Sequence, residues 1–173
     1  MVGFKPTTIA WRRKNWPLLE YAAHTWAQHA KAIGEDLDKA LQQLIRDFFA
    51  TSGLPRGGNF GAWVQVLLPS SPLENIESTQ PLYHASSFGF TSVVRTLLGT
   101  DKDLDIEARG GRRGSSALQV ASFQGHVDVV ELLLAAHADP RSQNQLGETS
   151  LYWARKRGFQ EIVDLLLRFG ATY

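Results

Sequence analysis

A short sequence motif that occurs three times in the second half of the chain limits the folds that the chain can adopt. Each copy contains Leu-x-x-Ala and ends in a glycine, and the three glycines are Gly89, Gly125 and Gly158. A valine- or isoleucine-led leucine run follows each glycine, at 93–98, 129–134 and 162–167. Gly125 and Gly158 lie 33 residues apart, and Gly89 lies 36 residues before Gly125. A period near 33, built from a short helix, a turn and a second helix, predicts a stacked helical array.

The residues of each copy suit their places in such an array. Leu82 and Ala85, with their counterparts in the later copies, are predicted to face the neighbouring repeat. The glycine suits the turn between the helices, where a left-handed backbone costs glycine little. One repeat cannot bury both of its faces, so stability comes from stacking. Because three repeats are near the minimum, we expect the N-terminal part of the chain to cap the first.

Two segments lie close to a known repeat pattern: 125–134, which reads GHVDVVELLL, and 147–151, which reads GETSL. On these residues, the stretch from about 79 to 173 resembles the ankyrin repeat family. Three positions depart from the histidine that the family usually has there, Tyr83, Gln119 and Tyr152. The resemblance implies an all-α ankyrin-repeat solenoid of about three helix-turn-helix repeats. It also implies a surface that holds a partner rather than a reaction centre.

Residues 1–75 lack the repeat and contain four of the five tryptophans. Apolar residues at helical spacing predict helices from Pro17 to about residue 33 and from about 36 to 51. The segment 16–30 resembles the helices that precede the ankyrin array in fungal NACHT–ankyrin proteins, although the sequence contains no Gly-x-x-x-x-Gly-Lys-Ser/Thr loop. We predict an N-terminal helical, aromatic-rich capping segment and three repeats, with approximate bounds 1–75, 76–110, 111–143 and 144–173.

Composition narrows the classes of function. A net charge of +1 gives no global reason for binding to nucleic acid or membranes. The absence of cysteine removes disulfides and thiolate metal sites and fits a reducing compartment. No apolar run approaches the ~18 residues needed to cross a bilayer. We therefore expect a cytoplasmic protein with no membrane segment.

No cofactor or metal is expected from the motifs. The run Asp101-Lys102-Asp103-Leu104-Asp105 opens like a calcium loop. Ile106 and Arg112 then stand where an EF-hand needs glycine and glutamate. The five histidines do not cluster along the sequence, and His84 is predicted to lie at the surface.

The leading functional hypothesis is a non-enzymatic protein–protein interaction module. The resemblance implies a concave face formed by hairpin tips and the ends of the first helices. Phe88 and Phe123 fall within the same pair of variable positions before the turn glycine in successive repeats and are candidate aromatic anchors, or they pack into the groove between repeats. The expected partner is another protein that presents an acidic or apolar segment. The basic residues favour an acidic segment, whose carboxylates arginine can bind in a bidentate way, or they form a solvated surface. The predicted partner-binding residues are Phe88, Arg112, Arg113, Phe123, Gln124, Leu146, Lys156 and Arg157.

Two further hypotheses concern the two ends of the chain. The last helix is as apolar as an interior one, so the chain is either a segment of a longer array or self-associates as a homodimer through Ile162, Leu166 and Phe169. The alternative is that Lys156, Asp164 and Arg168 make this end polar enough for solubility. The alternative to a protein-binding module is a pocket between the tryptophan-rich N-terminal helices and the first repeat. Such a pocket would bind or transform a small apolar molecule, with these candidate residues: Trp26, Glu20, His24 and His29. Nucleic acid is not indicated as a partner, because no aromatic–basic alternation accompanies the basic residues.

Overall fold

Three successive helix pairs make up the folded array. The computed structural model describes residues 80–100, 104–111 and 113–172, together with Gln43 and Asp47. In chain order the helices of these residues are α1 (Pro81–Phe88), α2 (Thr91–Thr100), α3 (Ala117–Gln124), α4 (Val127–Ala135), α5 (Ser150–Arg157) and α6 (Gln160–Arg168). The predicted all-α solenoid is confirmed. The helices predicted within 1–75 and the boundary at residue 75 lie outside the described residues.

Local sequence sets the limits of the first helix of each pair. Pro81 occupies the first turn of α1, where its missing N–H is no loss. The side chain of Ser116 accepts a hydrogen bond from the backbone N–H of Gln119 and caps α3. Thr149 caps α5 in the same way. The helices end at the three predicted glycines, whose φ angles are +73°, +83° and +79°.

The repeated leucine and alanine form the seam between pairs. Leu82, Leu118 and Leu151 are each at most 2% exposed. The alanine three residues after each of them is fully buried, which lets α3 pack between α1 and α5. A second layer contains α2, α4 and α6, where α4 contacts both of the other helices. The core is therefore continuous along the array, as expected for stacked repeats.

The turn glycine of each of the first two helix pairs is in contact with a side chain from the next pair. The ring of His126 lies against Gly89, and its Nε2 is 3.1 Å from the carbonyl oxygen of Ser87. The ring of Phe159 lies against Gly125 in the same manner. A Cβ at Gly89 would lie 2.8 Å from His126 Nδ1, and one at Gly125 would lie 2.6 Å from Phe159 Cζ. Glycine is therefore needed at these two turns for space as well as for backbone conformation.

Arginines join the loops of successive pairs. The guanidinium of Arg109 donates to the carbonyl oxygen of Gln143 at 3.0 Å and to Ser142 Oγ at 2.7 Å. Arg141 Nε donates to the carbonyl oxygen of Gly170 at 2.8 Å. These bonds span 29 to 34 residues of sequence and hold the loops in register along one edge of the array.

His84 is buried, contrary to the surface position predicted from sequence. It lies in α1 and is only 5% exposed. Removal from water disfavours the charged imidazolium and lowers the pKa of His84 from 6.5 to about 3. The sequence expectation was wrong because the helix turns His84 inward together with Ala85.

The burial of His84 predicts a loss of stability in mild acid. Below pH 6.5 the imidazole takes up a proton in the unfolded chain but stays neutral in the folded one. The unfolded state then binds more protons, so the free energy of unfolding falls as the pH is lowered towards 3. We expect about 2 kcal/mol less stability at pH 5 than at pH 7 from this group. Urea unfolding of the wild type and His84→Gln at both pH values measures it. An equal pH dependence in the two proteins would contradict the prediction.

None of the helices in the described ranges has the length and apolar character of a membrane span. The cytoplasmic location stays a prediction.

Candidate functional site

A groove of about 410 Å³ crosses the first helices of all three pairs. We call it the central groove. It receives side chains from α1, from the hairpin before α3, from α3 itself and from α5. Its lining residues are Tyr83, Ser87, Arg113, Ser115, Gln119, Val120, Phe123, Gln124 and Trp153.

Two aromatic rings meet on the α3–α5 side of the central groove. The rings of Phe123 and Trp153 are 4.9 Å apart and nearly perpendicular, at 87°. Edge-to-face packing of this kind is favourable beyond the apolar area it buries. Both side chains are half-buried, so part of each ring stays open to a ligand. The pair provides a rigid apolar surface within the groove.

Cations lie over these rings. The Arg157 guanidinium carbon is 4.7 Å from the ring centroid of Phe123. Lys156 Nζ is 4.9 Å from the Trp153 centroid and donates to Tyr152 Oη at 3.0 Å. Attraction between each cation and the π face holds these long side chains near the ring. The groove therefore combines apolar surface with fixed positive charge.

Arg113 brings a third cation from the hairpin. Its guanidinium carbon is 5.8 Å from the Trp153 centroid, and its Nη1 is 3.6 Å from Glu148 Oε2. The Arg113 side chain is 56% exposed, so this ion pair contributes little to stability. It still places the guanidinium beside the aromatic pair.

Gln119 forms the buried base of the groove. Its Oε1 accepts from the backbone N–H of Ser116 at 2.9 Å and completes the cap of α3. Its Nε2 donates to the carbonyl oxygens of Ser142 at 2.7 Å and Glu148 at 3.0 Å. One side chain thus joins α3 to two points of the loop between α4 and α5. This residue replaces the usual family histidine while retaining a helix-start hydrogen bond.

Tyr83 closes the other side of the groove. Its ring packs on the backbone of Gly110 and Gly111, where any Cβ would overlap the ring. Burial raises the pKa of the Tyr83 hydroxyl above its usual value of 10.0. The tyrosine therefore stays neutral and fixes the first pair against the hairpin, which an antiparallel bridge closes between Gly110 and Ser115.

Sequence comparison identifies the array. A family model described as ankyrin repeats in three copies matches residues 56–144 and 118–173, which together exceed half of the chain. The chain belongs to the ankyrin repeat family. Ankyrin repeats generally act as protein–protein interaction modules, and proteins that contain them typically bind other proteins.

Several known proteins are similar to this chain. Human ankyrin repeat and SOCS box protein 10 is 35% identical over 167 residues, which is 96% of this chain and 35% of that protein. Azaphilone pigments biosynthesis cluster protein L of Monascus ruber is 32% identical over 145 residues, covering 73% of this chain and 28% of that protein. The crystal structure of the human ASB11 ankyrin repeat domain matches with a TM-score of 0.50 and 28% identity, over 54% of this chain and 41% of that one. The chain spans about a third or less of the length of these curated relatives.

The ankyrin array brings some of the predicted partner-binding residues together. Arg113, Phe123 and Gln124 line the central groove, and Lys156 and Arg157 lie over its aromatic rings. Phe88 instead packs against Phe90, with the two ring centroids 5.9 Å apart, and lies against the hydrophobic core. Leu146 lies on the loop between α4 and α5 and is 61% exposed. Arg112 lies outside the described residues.

Sequence reasoning missed Trp153 and Tyr83 as groove residues. Both lie within the repeated motif, since Tyr83 follows a core leucine and Trp153 precedes a core alanine. Residue size is the signal that could have found them. The fully buried alanines bring neighbouring helices close together, so a large ring beside them has to lie at the edge of the stack, where the groove runs.

Two of the three residues predicted for self-association are not at the surface. Ile162 and Leu166 are fully buried in the core. They are four residues apart, so they occupy one face of α6, and that face packs inward. The prediction that Ile162 and Leu166 contact a second copy of the chain is corrected by their burial. Phe169 is 43% exposed just after α6, and dimerisation through it stays a prediction.

The alternative pocket of Trp26, Glu20, His24 and His29 lies outside the described residues. Within the described ranges, no group of three or more histidine, aspartate or glutamate side chains is arranged to hold a metal ion.

Proposed function

We propose that this ankyrin array holds a segment of a partner protein in its central groove, on the concave face. The observation that carries the proposal is the half-buried Phe123–Trp153 pair, set in a groove that three successive repeats build together. Binding energy in protein interfaces concentrates in a few residues, and tryptophan and arginine are enriched among them. Both residue types stand here side by side.

The arrangement of the groove favours binding because its side chains are already ordered. The edge-to-face contact fixes the two rings, and the overlying cations restrict them further. Gln119 anchors the base to the following loop through two hydrogen bonds. A ligand that enters such a site gives up less conformational entropy of the protein than one that must order flexible side chains. The groove thus offers an anchor for an apolar side chain of the partner.

Binding of displayed peptides tests the proposal. Peptides selected from a random phage-displayed library on the wild-type chain are expected to lose about tenfold or more in affinity for Trp153→Ala, because the anchor surface is removed. Phe169→Ala is the matched control, since it truncates another exposed aromatic away from the groove. We expect it to leave affinity within about twofold of the wild type. Titration calorimetry with the synthetic peptides measures both.

The variants must be folded for the comparison to count, which circular dichroism and urea unfolding establish. Phe123→Leu provides a milder second change that keeps apolar volume while removing the ring. Peptides whose affinity survives both Trp153→Ala and Phe123→Leu would place binding elsewhere and overturn the proposal.

A further inference from the structure

The charges around the central groove are unbalanced. Arg113, Lys156 and Arg157 all stand at its aromatic pair, where Glu148 supplies a single carboxylate among the described residues in contact with them. That carboxylate pairs with Arg113 at 3.6 Å. The chain as a whole carries a net charge of only +1, so the positive charge is a local feature.

Lys156 and Arg157 form their contacts with rings rather than with carboxylates. Arg157 lies 4.7 Å from the Phe123 centroid and 6.0 Å from that of Phe159. A ring face attracts a cation but does not neutralise it. A guanidinium held over a ring keeps its N–H donors, and a carboxylate can accept two of them in a bidentate way. Within the described part of the chain, neither Lys156 nor Arg157 has an acidic partner.

We infer that the partner segment is acidic, with an aspartate or glutamate bound by Arg157 next to an apolar side chain seated on Phe123 and Trp153. This inference rests on the proposed function of the central groove. The spacing supports it, because the Arg157 guanidinium and the apolar surface are adjacent and a single short segment can reach both. Opposite charges also speed the encounter and exclude basic competitors.

The two helix-ending arginines provide a matched test. Arg157 is the last residue of α5 and Arg168 is the last residue of α6, so Arg157→Glu and Arg168→Glu make the same charge change at the same place in a helix. The destabilising effect on the helix dipole is therefore common to both. Arg168 is exposed and does not line the central groove.

The probes are peptides selected from the random phage-displayed library on the wild-type chain. Each is synthesised as selected, with every aspartate and glutamate changed to asparagine or glutamine, and with the same positions as phosphoserine. We expect the selected peptides to contain acidic residues, and amidation to weaken binding about tenfold or more. Arg157→Glu is expected to cause a similar loss and Arg168→Glu a loss below about twofold. Affinity is also expected to fall as salt is raised.

The outcomes separate this inference from the function on which it rests. Peptides that depend on Trp153 but tolerate both amidation and Arg157→Glu would overturn the acidic partner while leaving the groove as the binding site. Peptides that depend on neither Trp153 nor Arg157 would overturn both. Phosphoserine peptides that bind at least tenfold more tightly than the selected ones, with the gain lost in Arg157→Glu, would overturn the carboxylate and assign the cations to phosphate.

Discussion

Replacing Gly125 with alanine is expected to destabilise the array by about 2–5 kcal/mol, whereas the same change at Gly158 is expected to cost about 1–2 kcal/mol. Both glycines end the first helix of a repeat with nearly the same backbone, at φ angles of +83° and +79°. The strain of an alanine in the left-handed region is therefore shared by the two variants. What differs is the space around the new methyl group.

The difference comes from the stacking of neighbouring repeats. At Gly125 a Cβ would lie 2.6 Å from Phe159 Cζ, too close for any real contact, so the phenylalanine or the turn must move. At Gly158, apart from its own chain neighbours, no atom of the described residues lies within 4 Å of such a Cβ. Overpacking of this kind typically costs about 1–3 kcal/mol in addition to the backbone term.

Urea unfolding of the wild type, Gly125→Ala and Gly158→Ala measures the effect. The double variant Gly125→Ala with Phe159→Ala completes the comparison, because removing the ring relieves the overlap. We expect the cost of Gly125→Ala to fall towards that of Gly158→Ala in the Phe159→Ala background. Equal losses for the two single variants would show that Phe159 does not seat on Gly125.

Most of the fold can be predicted from the sequence because the features that determine it are local and repeated. The leucine–alanine spacing and the turn glycine each occur three times, and the copies lie 36 and 33 residues apart, so these features support one another. The buried leucines and the left-handed glycines follow directly from that pattern. These features need no knowledge of which distant residues meet.

Less of the candidate site can be predicted from the sequence, because the site depends on contacts between repeats. The position of Phe123 in the repeat predicts it as a groove residue, but its contact with Trp153 joins α3 to α5 across 30 residues. Similarly, an apolar run in α6 indicates that the helix packs, but not which side chains face inward. The i, i+4 spacing of Ile162 and Leu166 places both on one face of α6, and the packing of the other repeats decides that this face is the inner one.

A charge at position 119 is expected to have the second large effect. Gln119→Glu is expected to lower the free energy of unfolding at pH 7 by about 3–5 kcal/mol. The amide Nε2 now donates to the carbonyl oxygens of Ser142 and Glu148, and a carboxylate oxygen in its place would face both as an acceptor. Gln119 is only 1% exposed, so water cannot compensate for the repulsion or for the buried charge.

Two controls separate charge from loss of hydrogen bonds. Gln119→Leu removes the bonds without adding charge, and we expect it to cost about 2–3 kcal/mol because buried polar groups lose their partners. Gln124→Glu makes the same chemical change on the same helix at an exposed position. Its expected cost is below about 1 kcal/mol, mainly from a negative charge near the helix C-terminus.

The pH dependence of Gln119→Glu distinguishes a buried charge from a general packing defect. Burial and the facing carbonyl oxygens would raise the pKa of the introduced carboxyl group above its unfolded value, so the folded variant would hold a proton that the unfolded chain releases. Stability of the variant relative to the wild type should therefore improve as the pH is lowered towards the unfolded pKa of about 4.3. Urea unfolding at pH 5 and pH 8 measures the change, and Gln119→Leu is expected to lose the same amount at both. A pH-independent loss for Gln119→Glu would contradict this account of a buried, acceptor-lined position that joins two repeats at the base of the groove.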